Sequence, residues 1–250
     1  MQATAAILRD PKGPFEIAPI DIGDLRSDEL IVRIVASGIC HTDIKFRDTV
    51  PKPVVLGHEG SGIVEKIGSH VTRVAVGDPV VLTFGFCGKC PSCESGAPTH
   101  CADHHALQFK GARLDGSTPL SQNGAPIHGA FFQQSSFATH AVATERNAIP
   151  VSADAPLEML GPLGCGIQTG AGAILNSLNV AYGSKVAVFG TGAVGLSAVM
   201  AASAAGAAQI VAVDVVPSRL ELARDLGAHD VIDARDGDVA ERVRDVTNGG

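Results

Sequence analysis

Six cysteines fall at three places along this chain, and each place offers ligands to a metal. Cys87, Cys90, Cys93 and Cys101 follow a C-x2-C-x2-C-x7-C spacing. Four thiolates this close in sequence let one loop wrap a tetrahedral ion, and four protein ligands with no open position suit a structural zinc. Lys89, among them, offsets part of their charge. Cys40 stands in Gly38-Ile39-Cys40-His41-Thr42-Asp43, His58 in Gly57-His58-Glu59, and Cys165 in Gly164-Cys165-Gly166. Two thiolates and one imidazole leave one tetrahedral position open, as a catalytic zinc requires. Asp43 is spaced to orient the far nitrogen of His58, and Glu59 adds a carboxylate behind the ligands. Zinc with an open position acidifies a bound hydroxyl, and Thr42 could carry the proton away. The opposing explanations are buried thiols packed as small hydrophobes and a disulfide framework.

A second chemistry follows in Gly190-Thr191-Gly192-Ala193-Val194-Gly195. Alone this motif is weak. Its setting strengthens it, with an apolar strand before, a helix after, and Asp214 closing the next strand. Gly190 permits a tight turn, Gly192 lets a pyrophosphate approach the backbone, and Gly195 lets helix and strand pack closely. The phosphates would sit at the helix N-terminus. Asp214 would accept hydrogen bonds from an adenosine ribose and repel a 2′-phosphate, favouring NAD over NADP; its alternative role is a helix-capping carboxylate. Metal and nicotinamide sites together point to hydride transfer.

The elements that must position these groups fall into two patterns. Up to about Pro150 the chain reads as short strands punctuated by Gly and Pro, among them Leu30 to Ala36, Gly62 to Ile67 and Pro79 to Phe84. Asp103 to Gly129, polar and Gly-rich, is expected to be a long surface loop. Pro156 to Leu178 reads as helix in two pieces around Cys165. Thereafter strands at Val186–Phe189, Gln209–Asp214 and Asp230–Asp233 alternate with helices. One runs from Val194 to about Ala205; one starts at a capping box of Ser218 and Glu221; the last presents Val239, Val243 and Val246 on one face. The expected fold is an N-terminal mostly-β domain, residues 1–165, followed by the first half of a doubly wound α/β domain, residues 166–250. Three parallel strands are about half of a full dinucleotide domain, so the chain is expected to be a fragment, or to need another chain beside its first parallel strand.

Composition narrows the function classes. The chain is 45% hydrophobic and 18% charged, with net charge −7 and no basic block. That is a globular composition and argues against nucleic-acid and anionic-membrane partners. Val186 to Val213 carries no charge, but its glycines and small residues divide it into strand, turn, helix and strand rather than a membrane span. The N-terminus lacks the features of a signal peptide. A cytoplasmic location is therefore expected, with the cysteines as metal ligands rather than disulfides.

These motifs together resemble the zinc-dependent medium-chain alcohol dehydrogenases, through Gly38–Asp43, Gly57–Val64, Val76-Gly77-Asp78, the cysteine lobe and the glycine loop. Within that family the chain looks most like NAD-dependent aryl-alcohol (benzyl-alcohol) dehydrogenases, through Gly111–Ser117, Phe131–Ala138 and Leu163–Gly170. The resemblance implies a GroES-like catalytic domain followed by a Rossmann domain, two zinc ions, NAD, a small-molecule alcohol or aldehyde substrate, and a homo-oligomer in the full-length form. It implies zinc at Cys40, His58 and Cys165 and the substrate hydroxyl at Thr42. It places His41, Thr169 and Val194 toward the cofactor and Arg219 toward its adenosine ribose. Phe131 and Phe132 would line an aromatic substrate pocket; ordinary core packing is their alternative. Lys45 stands where some relatives carry a proton-relaying His. Two other functions fit the same motifs: glutathione-dependent formaldehyde dehydrogenase, and a truncated zinc-binding remnant without catalysis.

Overall fold

A computed structural model describes residues 1–249. The chain divides into two compact units, Met1–Cys165 and Gly166–Gly250.

The first unit is built on two five-stranded antiparallel sheets. One orders Val54–Val55, Gln2–Leu8, Phe15–Ile22, Leu120–Gln122 and Ala125–Ile127; the other orders Ala148–Pro150, Pro79–Leu82, Gly60–Ile67, Glu29–Ser37 and His140–Thr144. Strand periodicity decides what each sheet buries. Along Phe15–Ile22 the buried positions alternate, at Ala18, Ile20 and Ile22. They share a core with Ile31 and Val142 of the other sheet. Leu30 and Val32, on either side of Ile31, join Val64, Val80, Leu82, Ala141 and Ala143 in a second core. The second sheet is thus apolar on both faces.

The expected loop at Asp103–Gly129 is corrected by the structure. It contains a helix, His104–Phe109, which buries Leu107 and Gln108, and a hairpin that extends the first sheet. The hairpin turns at Asn123-Gly124, whose φ angles of 52° and 78° suit a two-residue turn. That dipeptide was the available signal.

In the second unit Lys185–Phe189, Gln209–Asp214 and Asp230–Asp233 form a parallel sheet in that order. Ile210 and Ala212 pack on one side with Val199 and Ala202 of helix Ala193–Ala204. Val211 and Val213 pack on the other with Val239, Val243 and Val246 of helix Val239–Val246. Helices on both faces of a parallel sheet make the doubly wound arrangement. The expected Ser218 cap is also corrected. Helix Pro217–Asp225 is preceded by Val216 and opens on Pro217, whose fixed φ and missing N–H suit a first helical position. No helix among the described residues is long and apolar enough to cross a membrane.

Candidate active site

One carboxylate organises the first ligand cluster. Helix His41–Phe46 begins just after Cys40, so Asp43 lies in its first turn and points back toward its start. Asp43 Oδ2 accepts the Cys40 N–H at 3.0 Å, and Oδ1 accepts the Gly57 N–H at 3.0 Å. Oδ1 also lies 3.0 Å from Nδ1 of His58. A carboxylate only accepts, so Nδ1 carries a proton, and Nε2 is the nitrogen left for a metal. Asp43 and His58 are 3% and 1% exposed. Glu59 follows on the same segment, buried, and the backbone reaches it closely on two sides. A Cβ added to Gly38 would lie 2.1 Å from Glu59 Oε2, and one added to Gly161 2.1 Å from the Glu59 carbonyl oxygen. At Gly161 the opposing atom is backbone and only glycine fits, whereas at Gly38 a side chain would force the Glu59 carboxylate to move. From Gly161 the chain runs through one 3-10 turn to Cys165. The result gathers ligand atoms of Cys40, His58, Glu59 and Cys165 within 4.8 Å of one another.

This donor set fits zinc. Nε2 of His58 is buried and has no hydrogen-bond partner, a cost that a metal bond removes. The electrostatics also favour a cation there. The Cys40 thiol is pulled down to about 7, first by His58, against the effect of burial, with help from Thr42. Burial disfavours a charged His58, but Asp43, Cys165 and Cys40 outweigh it and hold the imidazole up at about 11. Burial pushes the Cys165 thiol up, partly offset by His58.

The second cluster is local. Cys87, Cys90, Cys93 and Cys101 bring their sulfurs within 4.8 Å of one another. For Zn–S bonds of about 2.3 Å, tetrahedral sulfurs stand roughly 3.8 Å apart, so the four are close to a closed shell. Helix Pro91–Glu94 opens right after Cys90, and a 3-10 turn, Pro98–His100, delivers Cys101. Backbone N–H groups already point at the sulfurs. Cys87 N–H donates to Cys101 Sγ at 3.3 Å and Ala102 N–H to Cys90 Sγ at 3.4 Å. The Ala102 and Cys93 backbone groups draw the Cys90 thiol down to about 6. No disulfide joins any of the six cysteines.

The glycine loop lies in the second unit. Gly190 has φ +87°, and a Cβ on Gly195 would fall 1.8 Å from the Gly190 carbonyl oxygen. Gly192 caps helix Ala193–Ala204. Nothing lies within 4 Å of where its Cβ would be, leaving the helix start approachable. Val194, in the first turn of that helix, is half-exposed. Asp214 is buried at the end of its strand. Its Oδ2 accepts Thr191 N–H at 2.6 Å and Thr191 Oγ1 at 3.0 Å, and its Oδ1 accepts Val215 and Val216 N–H at 2.7 and 2.9 Å. Burial opposes its ionisation, but these donors hold the carboxyl below its usual range. Asp214 thus ties the loop to the second strand, and Arg219 Nη1 stands 3.9 Å from its Oδ2.

Thr42 and the exposed His41 lie in the first turn after Cys40, and Thr169 on helix Gly166–Gly172. The two phenylalanines part company. Phe131 is wholly buried with Leu8, Val50, Val54 and Leu56. Phe132 is partly exposed and stacks on the His58 imidazole, ring centroids 4.3 Å apart. Residue spacing did not single out Gly38, Gly161 or Gln134. Their signals were small residues beside ligands and a polar run, Gln133–Ser136, set between phenylalanines.

Comparison with known proteins identifies the class. The model of the alcohol dehydrogenase GroES-like domain matches residues 26–153, and that of the zinc-binding dehydrogenases matches residues 193–250. The chain belongs to the zinc-binding medium-chain alcohol dehydrogenase family. A geraniol dehydrogenase from Castellaniella defragrans is 48% identical over all of this chain and 68% of its own length. Among solved structures, an alcohol dehydrogenase zinc-binding domain protein from Burkholderia ambifaria is 55% identical with a TM-score of 0.97, over 100% of this chain and 69% of that one. The benzyl alcohol dehydrogenase of Acinetobacter calcoaceticus is 47% identical with a TM-score of 0.95, over 100% and 68%.

Proposed function

We propose that this chain carries the zinc and dinucleotide sites of an NAD-dependent alcohol dehydrogenase. Its substrate is a primary alcohol of the benzyl type, oxidised to the aldehyde. The observation that carries the reading is the gathering of Cys40, His58 and Cys165 around the partnerless Nε2 of a histidine held by Asp43. When bound, zinc at these three residues supplies a Lewis acid that lowers the pKa of an alcohol hydroxyl, and NAD supplies the hydride acceptor. The protein does the rest. Asp43 keeps Nδ1 protonated so that Nε2 stays a ligand. Thr42, partly exposed, would accept the hydroxyl proton only as it releases its own to water, acting as a relay. The open helix start at Gly192 holds pyrophosphate, with Gly190, Val194 and Gly195 shaping the loop. Asp214 and Arg219 address the adenosine ribose, and Thr169, in the same unit, another part of the cofactor. Cys87, Cys90, Cys93 and Cys101 hold the second zinc and brace their lobe.

The substrate class rests on two relatives, named for geraniol and for benzyl alcohol. Both are primary alcohols whose carbinol carbon adjoins an unsaturated carbon. Phe132, partly exposed beside His58, is the ring available to such a substrate.

Cys40→Ser and His58→Ala should each abolish NADH formation from benzyl alcohol while the four-cysteine zinc remains. Full activity in either variant sinks the reading. A zinc-binding chain without turnover is the second reading. It is favoured by the edge position of Lys185–Phe189, which among the described residues pairs on one side only and leaves Phe189 66% exposed. NADH production by the 250-residue chain removes that alternative.

A further inference from the structure

Phe132, Gln133 and Ser135 have φ angles of 51°, 54° and 47°. None is a glycine, and a phenylalanine with positive φ is an outlier. Backbone in this region persists only where the surroundings over-determine it, and such sites cluster where function needs them. Here the fixing groups are side chains of the turn itself. Ser135 Oγ donates to the Val55 carbonyl at 2.7 Å and accepts the Phe131 N–H at 2.9 Å. Gln133 Nε2 reaches the carbonyls of Leu107, Ala112 and Ala130 at 3.0, 3.3 and 3.3 Å. Gln134 is wholly buried. Its Nε2 donates to the carbonyl of His58 at 2.9 Å and that of Thr83 at 3.2 Å, and its Oε1 accepts the Gly60 N–H at 3.1 Å.

Those last contacts bracket Glu59 and end on the backbone of His58. What the turn presents to His58 is the Phe132 ring. It lies over the imidazole at 4.3 Å with 22° between planes, while Phe131 meets the same imidazole edge-on at 5.6 Å and 81°. Asp43 holds only the Nδ1 edge. A single in-plane hydrogen bond leaves the imidazole free to rock about the Nδ1–oxygen line, and rocking swings Nε2 out of place. A flat ring against the face removes that freedom.

We propose that the Phe131–Ser135 turn is a clamp on His58. Phe132 is a positioning residue that fixes the plane of the imidazole, and Gln134 latches the turn to the His58 backbone. The inference rests on His58 being a zinc ligand.

The test uses the full chain loaded with cobalt(II), comparing wild type, His58→Ala, Phe132→Leu, Phe132→Tyr and Gln134→Met. The readouts are the cobalt absorption bands and the rate at which a chelator strips the metal. His58→Ala is the reference. If it leaves metal content and bands unchanged, the ligand reading fails and the clamp with it. If it loses one metal, Phe132→Leu is expected to alter the bands and release that metal about 10- to 100-fold faster, the usual effect of losing a ligand's support. Phe132→Tyr, which keeps a flat ring, restores both. Gln134→Met moves both readouts the same way with the ring retained, and decides the matter if Phe132→Leu does not fold. Wild-type bands and release rate in Phe132→Leu and Gln134→Met overturn the proposal, even with a changed KM or a lower Tm; Phe132 would then be a pocket wall only.

Discussion

The four thiols of the lobe come from one short segment, Cys87–Cys101, whereas the other cluster draws on Cys40, His58 and Cys165, which lie far apart in the chain. The entropic difference is modest. The chain between Cys40 and Cys165 is about nine times longer than the lobe, and a loop that much longer costs only about 2 kcal/mol more to close. What differs is the means of closure. The lobe is shaped by local turns whose N–H groups face sulfur, so a metal completes a fold that spans few residues. The other cluster is set from outside by the scaffold: Asp43 joining its own helix start to the Gly57–His58 segment, Gln134 bridging two segments, and glycines letting the backbone close on Glu59. The lobe should therefore depend on its metal for structure. The scattered site should hold its shape and lose chemistry.

The largest separation is expected from ligand removal. Cys165→Ser should lose one zinc and all turnover, with the Cys87–Cys101 segment still resistant to proteolysis. Cys93→Ser should make that segment protease-sensitive yet leave the other metal bound. Loss of both metals in both variants would erase the contrast.

Steric changes come next. Gly161→Ala places a Cβ 2.1 Å from the Glu59 carbonyl oxygen, and overpacking of this kind costs about 1–3 kcal/mol. Thermal unfolding should show that loss together with weakened metal at the three-ligand site. Gly96→Ala in the lobe meets no atom within 4 Å and suffers only from its φ of +83°, about 1–2 kcal/mol. It should leave the three-ligand metal untouched. Asp43→Asn should weaken zinc about 10- to 100-fold at the three-ligand site alone, measurable by chelator competition.

Smaller effects belong to the glycine-loop unit. The Asp214 carboxyl is held below its ordinary range by Thr191, Val215 and Val216. A depressed carboxylate adds stability above its unfolded pKa of about 3.9 and loses it as pH falls through the folded value. Acid unfolding of Asp214→Asn should lack that component, and an unchanged pH profile would contradict it. Smallest is Asp238→Ala. Asp238 caps helix Val239–Val246 by accepting Ala240 and Glu241 N–H at 2.9 and 3.0 Å. Its loss should cost about 1 kcal/mol in denaturant unfolding.

The same contrast governs what could be read from residues alone. The lobe was legible because its spacing and its geometry are one fact. The parallel sheet was legible because short apolar runs alternate with helices ending at Gly206 and Gly227. The strand Glu29–Ser37 stood out for its β-branched run. The helix and hairpin within residues 103–129 were missed because polar composition outweighed a two-residue signal, Asn123-Gly124. The strained turn at Phe131–Ser135 could not be foreseen. No propensity marks a phenylalanine for positive φ, and the buried glutamines that hold it act across the fold. The Ser218 capping spacing misled because Pro217 and Asp214 had already fixed the helix start.

The most direct test is the zinc content per chain of wild type, His58→Ala and Cys93→Ser, measured by elemental analysis alongside NADH formation from benzyl alcohol. One zinc is expected for each of the two ligand clusters in wild type and one fewer in each variant, with His58→Ala folded but without turnover. A wild-type chain holding a single zinc, or His58→Ala retaining the full complement, would contradict it.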